Sequence, residues 1–169
     1  MTAVPLLVFD LDGTISDPSV GIQRSINFAL THFGYPTISA AQIAGYIGPP
    51  LDETFAAITS KSSTDHIAGL VSKYRERYAE IGYSENVLYP GIREALDELA
   101  RNIPMGRCTS KHADFAERIL ELFQIRDHFL FVDGGDVGIR KEQQLASLLS
   151  KGTISSHSLI TSRCSTCRV

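Results

Sequence analysis

Two aspartates one residue apart, Asp10 and Asp12, close an apolar run in the stretch "VFDLDGTISD" at residues 8 to 17, with Gly13 and Thr14 directly behind them. Residues i and i+2 of an extended segment share a side, so the two carboxylates are expected to converge at the carboxyl end of a buried strand. Held close and partly desolvated they repel, and one takes up a proton unless a cation sits between them. Such a pair supplies one carboxylate that can attack as a nucleophile and another that can exchange protons with a leaving group or with water. Gly13 permits the sharp turn that brings backbone amides near an anion. Phosphoryl transfer also needs positive charge around the transferred oxygens, so a divalent cation and a lysine are expected nearby. The competing reading of the D-x-D is plain turn and capping chemistry.

These residues must be positioned by elements that the sequence pattern outlines. Asp17 and Pro18 read as an N-cap and a first helical position, and Ile22, Ile26, Leu30 and Phe33 recur at helical spacing, predicting a helix over 18 to 33. "SAAQ" at 39 to 42 is a capping-box pattern for a second short helix, "GPPLDETFAAI" opens a third, and Ile67, Leu70, Val71, Tyr74, Tyr78 and Ile81 stripe a fourth. This predicts an α-helical subdomain over 16 to 84, inserted into a core made of 1 to 15 and 85 to 169. From "LYPG" at 88 to 91 the pattern alternates. Helices are marked by Ile92, Ala95, Leu96 and Leu99, by Phe115, Ile119 and Leu122, and by Leu145, Leu148 and Leu149, with strands in "IPMGRCT", "HFLFVD" and "HSLIT". Alternation predicts an α/β class core, a Rossmann-like doubly wound parallel sheet with its site at the carboxyl ends of the strands.

Composition narrows the function classes. The 169 residues suit one domain or a small core with an insertion. A net charge of -3 without any Lys/Arg block argues against a nucleic-acid polymer as partner. No apolar run approaches the roughly 20 residues of a membrane helix, and the start lacks a signal-peptide pattern, so a cytoplasmic protein acting on a small molecule is expected. Three cysteines, an odd number, argue for reduced thiols.

"FDLDGT" at 9 to 14, "CTSK" at 108 to 111 and Lys141 in "GIRKEQQLASLL" resemble the motifs of the haloacid dehalogenase superfamily of phosphohydrolases, within it the phosphoglycolate phosphatase-like group. The helical stretch is similar to that family's cap. The resemblance implies a Mg²⁺-dependent phosphomonoesterase acting on a small phosphate ester such as phosphoglycolate or a nucleoside monophosphate. It makes Asp10 the nucleophile that forms an aspartyl-phosphate and Asp12 the general acid and base. Mg²⁺ would be held by Asp10 and Asp12, the latter through its backbone carbonyl. Phosphate contacts fall on Leu11, Gly13, Thr109, Ser110 and Lys141, and substrate contacts from the cap on Arg24 and Gly48. Lys111 competes with Lys141 for the phosphate charge, and a second "TSK" occurs at 59 to 61. A phosphosugar mutase using the same aspartates, or a catalytically impaired phosphate-binding relic, are the alternatives.

The family's fourth motif is an acidic strand end. Here "SHSLI" leads instead into "TSRCSTCRV", which reads as a truncated or frame-altered terminus. Asp133 and Asp136 are the nearest spare carboxylates, expected to cap the turn "DGGD". The C-x-x-C of "CSTC" is expected to hold neither zinc nor a redox function. With a core incomplete at its C-terminal side, the strand at 157 to 161 becomes an open edge through which the chain is expected to self-associate.

Overall fold

The structure, a computed structural model, describes residues 6–61, 63–135, 139–155 and 157–161. In chain order the strands are β1 (Leu7–Phe9), β2 (Ser16–Asp17), β3 (Val87–Leu88), β4 (Met105–His112), β5 (Val132–Gly135) and β6 (Leu159–Thr161). The helices are α1 (Ser19–His32), α2 (Leu51–Thr59), α3 (Thr64–Glu80), α4 (Ile92–Ala100), α5 (Ala113–Leu122) and α6 (Lys141–Ser150). Among the described residues the strands β5-β4-β1-β6 form one parallel sheet, with Leu7, Val8 and Phe9 in register with Met105, Gly106 and Arg107 on one side and with Leu159, Ile160 and Thr161 on the other. Parallel neighbours need crossover connections, which is why apolar segments and helices alternate in the second half of the sequence. The α/β expectation is met.

The sheet buries both faces. Val8 and Cys108 pack with Leu148 of α6 and Ile154, with Leu6, Phe131 and Leu145 around them. Phe9 meets Phe129 edge to face at 6.2 Å, and α5 buries Ala116, Ile119 and Leu120. A separate compact unit is formed by Pro18–Asn86. There α1 buries Ile22, Ile26, Ala29 and Leu30, and α3 buries Ile67, Leu70, Tyr74 and Tyr78. Tyr74 and Tyr78 stack at 5.3 Å, and Phe55 of α2 meets Tyr74 edge to face at 6.3 Å.

Several boundaries differ from the sequence pattern, each for a local reason. Asp17 is not a helix cap. With Ser16 it pairs antiparallel with Val87 and Leu88 in a two-stranded ribbon that the sequence reading missed, and Pro18 takes the N-cap position. "SAAQ" does make its local bonds, since Gln42 Oε1 accepts from the Ser39 amide at 2.9 Å, but only a single 3₁₀ turn, Ile43–Tyr46, follows. Ile81 and Leu122 are each 46% exposed, being the ends rather than the seams of their stripes. The strand expected over 128 to 133 begins at Val132, because Arg126–His128 form a 3₁₀ turn. Asp133 therefore lies in β5 and caps no turn, whereas Asp136 and "CSTC" fall outside the described residues.

Candidate active site

The turn after β1 is held by its own backbone. The Leu11 carbonyl accepts the amides of Thr14, Ile15 and Ser16 at 3.1, 2.9 and 3.2 Å, while the Leu11 side chain is fully buried as an anchor. Gly13 takes a left-handed φ of +75°, which favours glycine, and donates its amide to the Ser16 carbonyl at 2.8 Å. The Leu11 amide donates to Asp10 Oδ1 at 2.8 Å. Both amides expected to face an anion are thus engaged within the turn, so their part here is to fix the two aspartates.

Each aspartate meets its own lysine. Lys141, the first residue of α6, is 9% exposed along its side chain and ion-pairs with Asp10 Oδ2. The helix starts there because the Arg140 amide is capped by Gln143 Oε1 at 2.9 Å. Lys111, 7% exposed, places Nζ 3.0 Å from Asp12 Oδ2. The pairing of β4 with β5 shifts register between Thr109 and His112, and such a bulge re-aims side chains, here at Ser110 and Lys111. Thr109 is buried, and its Oγ1 accepts the Lys111 amide at 3.2 Å. Ser110 is exposed. Gln144 of α6 ties the strands together, donating to the Thr109 carbonyl at 3.1 Å and to Asp133 Oδ2 at 3.0 Å. The structure therefore brings together Asp10, Asp12, Lys111 and Lys141, with Thr109 on the adjoining strand. The other "TSK" lies at the end of α2, where the buried Thr59 hydroxyl bonds the Phe55 carbonyl at 2.7 Å.

Three buried polar groups colour this region. Asp12 Oδ1 has no hydrogen-bond partner among the described residues. Arg107 is fully buried, and its Nε, Nη1 and Nη2 are likewise without partners there. Burial pulls the Arg107 pKa down to about 10, against the opposing pull of the Asp12 and then the Asp10 charge. Burial pushes the Cys108 thiol up to about 12, with the Asp133 charge adding to it.

Arg24 and Gly48 belong to the helical unit. Arg24 Nη1 lies 2.6 Å from Glu85 Oε1, and Glu85 is also held by Arg77 at 2.9 Å. The Arg77 hydrogen bond, opposed by burial and helped by Arg24, lowers the Glu85 pKa. Gly48 has φ +110° with open space where a Cβ would be, so only its backbone conformation resists a side chain.

The family profile described as haloacid dehalogenase-like hydrolase matches residues 7–160. The chain belongs to this family. Relatives of similar sequence include a 5'-nucleotidase of Pseudomonas aeruginosa, 37% identical over 161 residues, 92% of this chain and 72% of that protein. A phosphoglycolate phosphatase of Yersinia pestis is 32% identical over 151 residues, 86% of this chain and 65% of its own length. A haloacid dehalogenase-like hydrolase from Streptococcus pneumoniae superposes with a TM-score of 0.83 at 30% identity, over 95% of this chain and 76% of that one. The chain thus spans about two thirds to three quarters of these proteins. The expected family, fold and phosphatase type of this haloacid dehalogenase-like chain are supported together by these matches.

Sequence reasoning passed over two residues of this site. Gln144 sat inside a helical stretch with no sign of its reach to β4 and β5. Arg107 carried a signal, as the one basic residue in the apolar run "IPMGRCT". Lys111 was recognised only as the rival of Lys141, whereas the structure gives each lysine a different aspartate.

Proposed function

We propose that this chain hydrolyses a small phosphomonoester through an aspartyl-phosphate on Asp10. The observation that carries the reading is the meeting of the Asp10–Lys141 and Asp12–Lys111 pairs at the carboxyl ends of β1 and β4. In the first step an Asp10 carboxylate oxygen attacks phosphorus and the ester P–O bond breaks. Asp12, in its acid form, gives its proton to the leaving alkoxide. Asp12, now a carboxylate, then takes a proton from water, whose oxygen attacks phosphorus. The bond from phosphorus to Asp10 breaks, releasing phosphate and restoring both aspartates. Lys141 orients Asp10 and offsets charge on the phosphoryl oxygens, Lys111 orients Asp12, and Thr109 donates its hydroxyl hydrogen to a phosphoryl oxygen.

A Mg²⁺ ion fits the residues present. Asp10 would offer its carboxylate and Asp12 its backbone carbonyl, which leaves the Asp12 carboxyl for proton transfer, and Mg²⁺ commonly binds one or two carboxylates together with waters and substrate phosphate. Asp10 and Asp12 would hold it, and when bound it would offset the charge of the phosphoryl group. The names of the relatives favour phosphoglycolate or a nucleoside monophosphate as substrate. Assay of a panel of phosphate esters with Mg²⁺ tests this, with release of inorganic phosphate expected. Asp10→Asn should reduce turnover by about 10³-fold or more, as loss of a nucleophile does. Turnover unchanged by Asp10→Asn would remove the reading, and isomerised sugar phosphate without free phosphate would replace it with a mutase.

A further inference from the structure

We propose that Gln144 is a positioning residue of the aspartate site, its side-chain amide joining the strand that carries Thr109 and Lys111 to the helix that carries Lys141. The inference rests on the reading of Asp10 and Asp12 as the reacting pair. The buried residues of α6 are Lys141, Gln144 and Leu148, at the three- and four-residue spacing that shares one face of a helix. Leu148 packs with Val8, Cys108 and Ile154 in the core, and Lys141 ion-pairs with Asp10. Gln144 lies between them, where an apolar side chain would continue the seam. It is instead a polar group only 5% exposed, with Nε2 donating to the Thr109 carbonyl at 3.1 Å and to Asp133 Oδ2 at 3.0 Å.

Both partners are acceptors, which fixes the amide the way round it stands and engages both of its hydrogens. Turned over, its oxygen would face two oxygens. The orientation leaves Gln144 Oε1 buried without a partner among the described residues, an unfavourable position that a side chain serving packing alone would avoid. Thr109 is the last residue of β4 in regular pairing with β5 before the register shift that ends at His112. The Gln144 bond therefore holds the backbone at the entry to the bulge from which Lys111 reaches Asp12. One turn up the same helix, Lys141 reaches Asp10. A single amide thus sets the separation of the two lysine–aspartate pairs. Cys108 Sγ, 3.9 Å from Asp133 Oδ2, is a much weaker donor to that carboxylate and belongs to β4, so it offers no link to α6. Gln144 acts through the two lysines and is not itself a catalytic residue.

Hydrolysis of p-nitrophenyl phosphate by the 169-residue chain with Mg²⁺ tests the proposal, with stability in urea measured alongside. Gln144→Met keeps the length of the side chain and removes both hydrogens. It should lower kcat by about 10- to 100-fold, the scale of a small misplacement of reacting groups, with KM within about twofold of the parent. Leu148→Ala, one turn further along the same buried stripe, should lower stability at least as much and leave kcat within about twofold. A purely structural role would make the two variants alike, activity falling with stability, and that result, or an unchanged kcat in folded Gln144→Met, overturns the proposal. In the unsubstituted chain the Gln144 Nε2 hydrogens should exchange slowly with solvent by NMR. Exchange as fast as that of the exposed Gln143 side chain overturns the proposal without any variant. Asp10→Asn separates this inference from the reading beneath it. If the unsubstituted chain releases no phosphate, or if Asp10→Asn leaves release intact, the aspartates are not the reacting pair and both fall. If Asp10→Asn abolishes release and Gln144→Met does not reduce it, only the role of Gln144 is lost.

Discussion

At the scale of single residues, the interior of the sheet holds two titratable groups with opposite responses to alkali. Cys108 has a folded pKa raised from 9.0 to about 12, chiefly by burial, so the folded state keeps a proton that the unfolded state gives up. Its contribution to stability is whole below pH 9 and is lost as pH rises toward 12. Arg107 has a folded pKa lowered from 12.5 to about 10, so between those values stability gains with rising pH. The thiol thus acts without that offset between pH 9 and 10. Stability in urea is expected to fall across that window, and Cys108→Ala to flatten the fall. An identical pH slope in the variant would show that other groups govern it. Asp10, Asp12, Thr109 and Lys141 could be read from sequence because each stands at a strand end or helix start within a recognisable motif. Arg107 gave a signal as the one basic residue of an apolar run, but its burial was not legible, because that is decided by the elements stacked on β4. The partner of Lys111 was hidden for another reason: it depends on a bulge whose register no local pattern records.

Among the elements, the contact between α1 and the 3₁₀ turn Gly82–Glu85 is set by two glycines. A Cβ on Gly21 would lie 2.1 Å from the Gly82 carbonyl oxygen, and one on Gly82 would lie 2.7 Å from Ser25 Oγ and 2.8 Å from the Tyr78 ring. An alanine in a helix interior ordinarily gains about 1 kcal/mol over glycine. At Gly21 the neighbour is backbone and cannot yield cheaply, so Gly21→Ala is expected to cost about 1–3 kcal/mol by overpacking. Urea denaturation measures it, and a variant as stable as the parent would mean that the turn moves away freely. The clamp is reinforced by Ser25, whose hydroxyl bonds the Gly21 carbonyl at 2.7 Å, and by Glu85 between Arg24 and Arg77. Periodicity revealed α1 and α3 and most of their buried stripes, since each has an apolar seam, and Pro49 and Pro50 announced α2. It did not reveal the ribbon of β2 and β3, because strands of two residues carry no period to read and arise only when distant segments meet.

For the whole chain, strand order decides where backbone groups lie open. The alternation of helix and strand was enough to predict a parallel sheet, and β5-β4-β1-β6 form one. The flanks were harder to read, because an edge is a property of what else packs there. Among the described strands β6 is the last on its side, paired through Leu159, Ile160 and Thr161 to β1 alone. An edge strand offers a row of amides and carbonyls to any other chain that can align with it. The expected outcome for the purified 169-residue chain is therefore association that grows with concentration, through residues 157 to 161. Light scattering over a hundredfold dilution should show a falling mean mass, and amide exchange in that segment should quicken as the sample is diluted. A monodisperse monomer with concentration-independent protection of those amides would show that the edge is covered from within the chain.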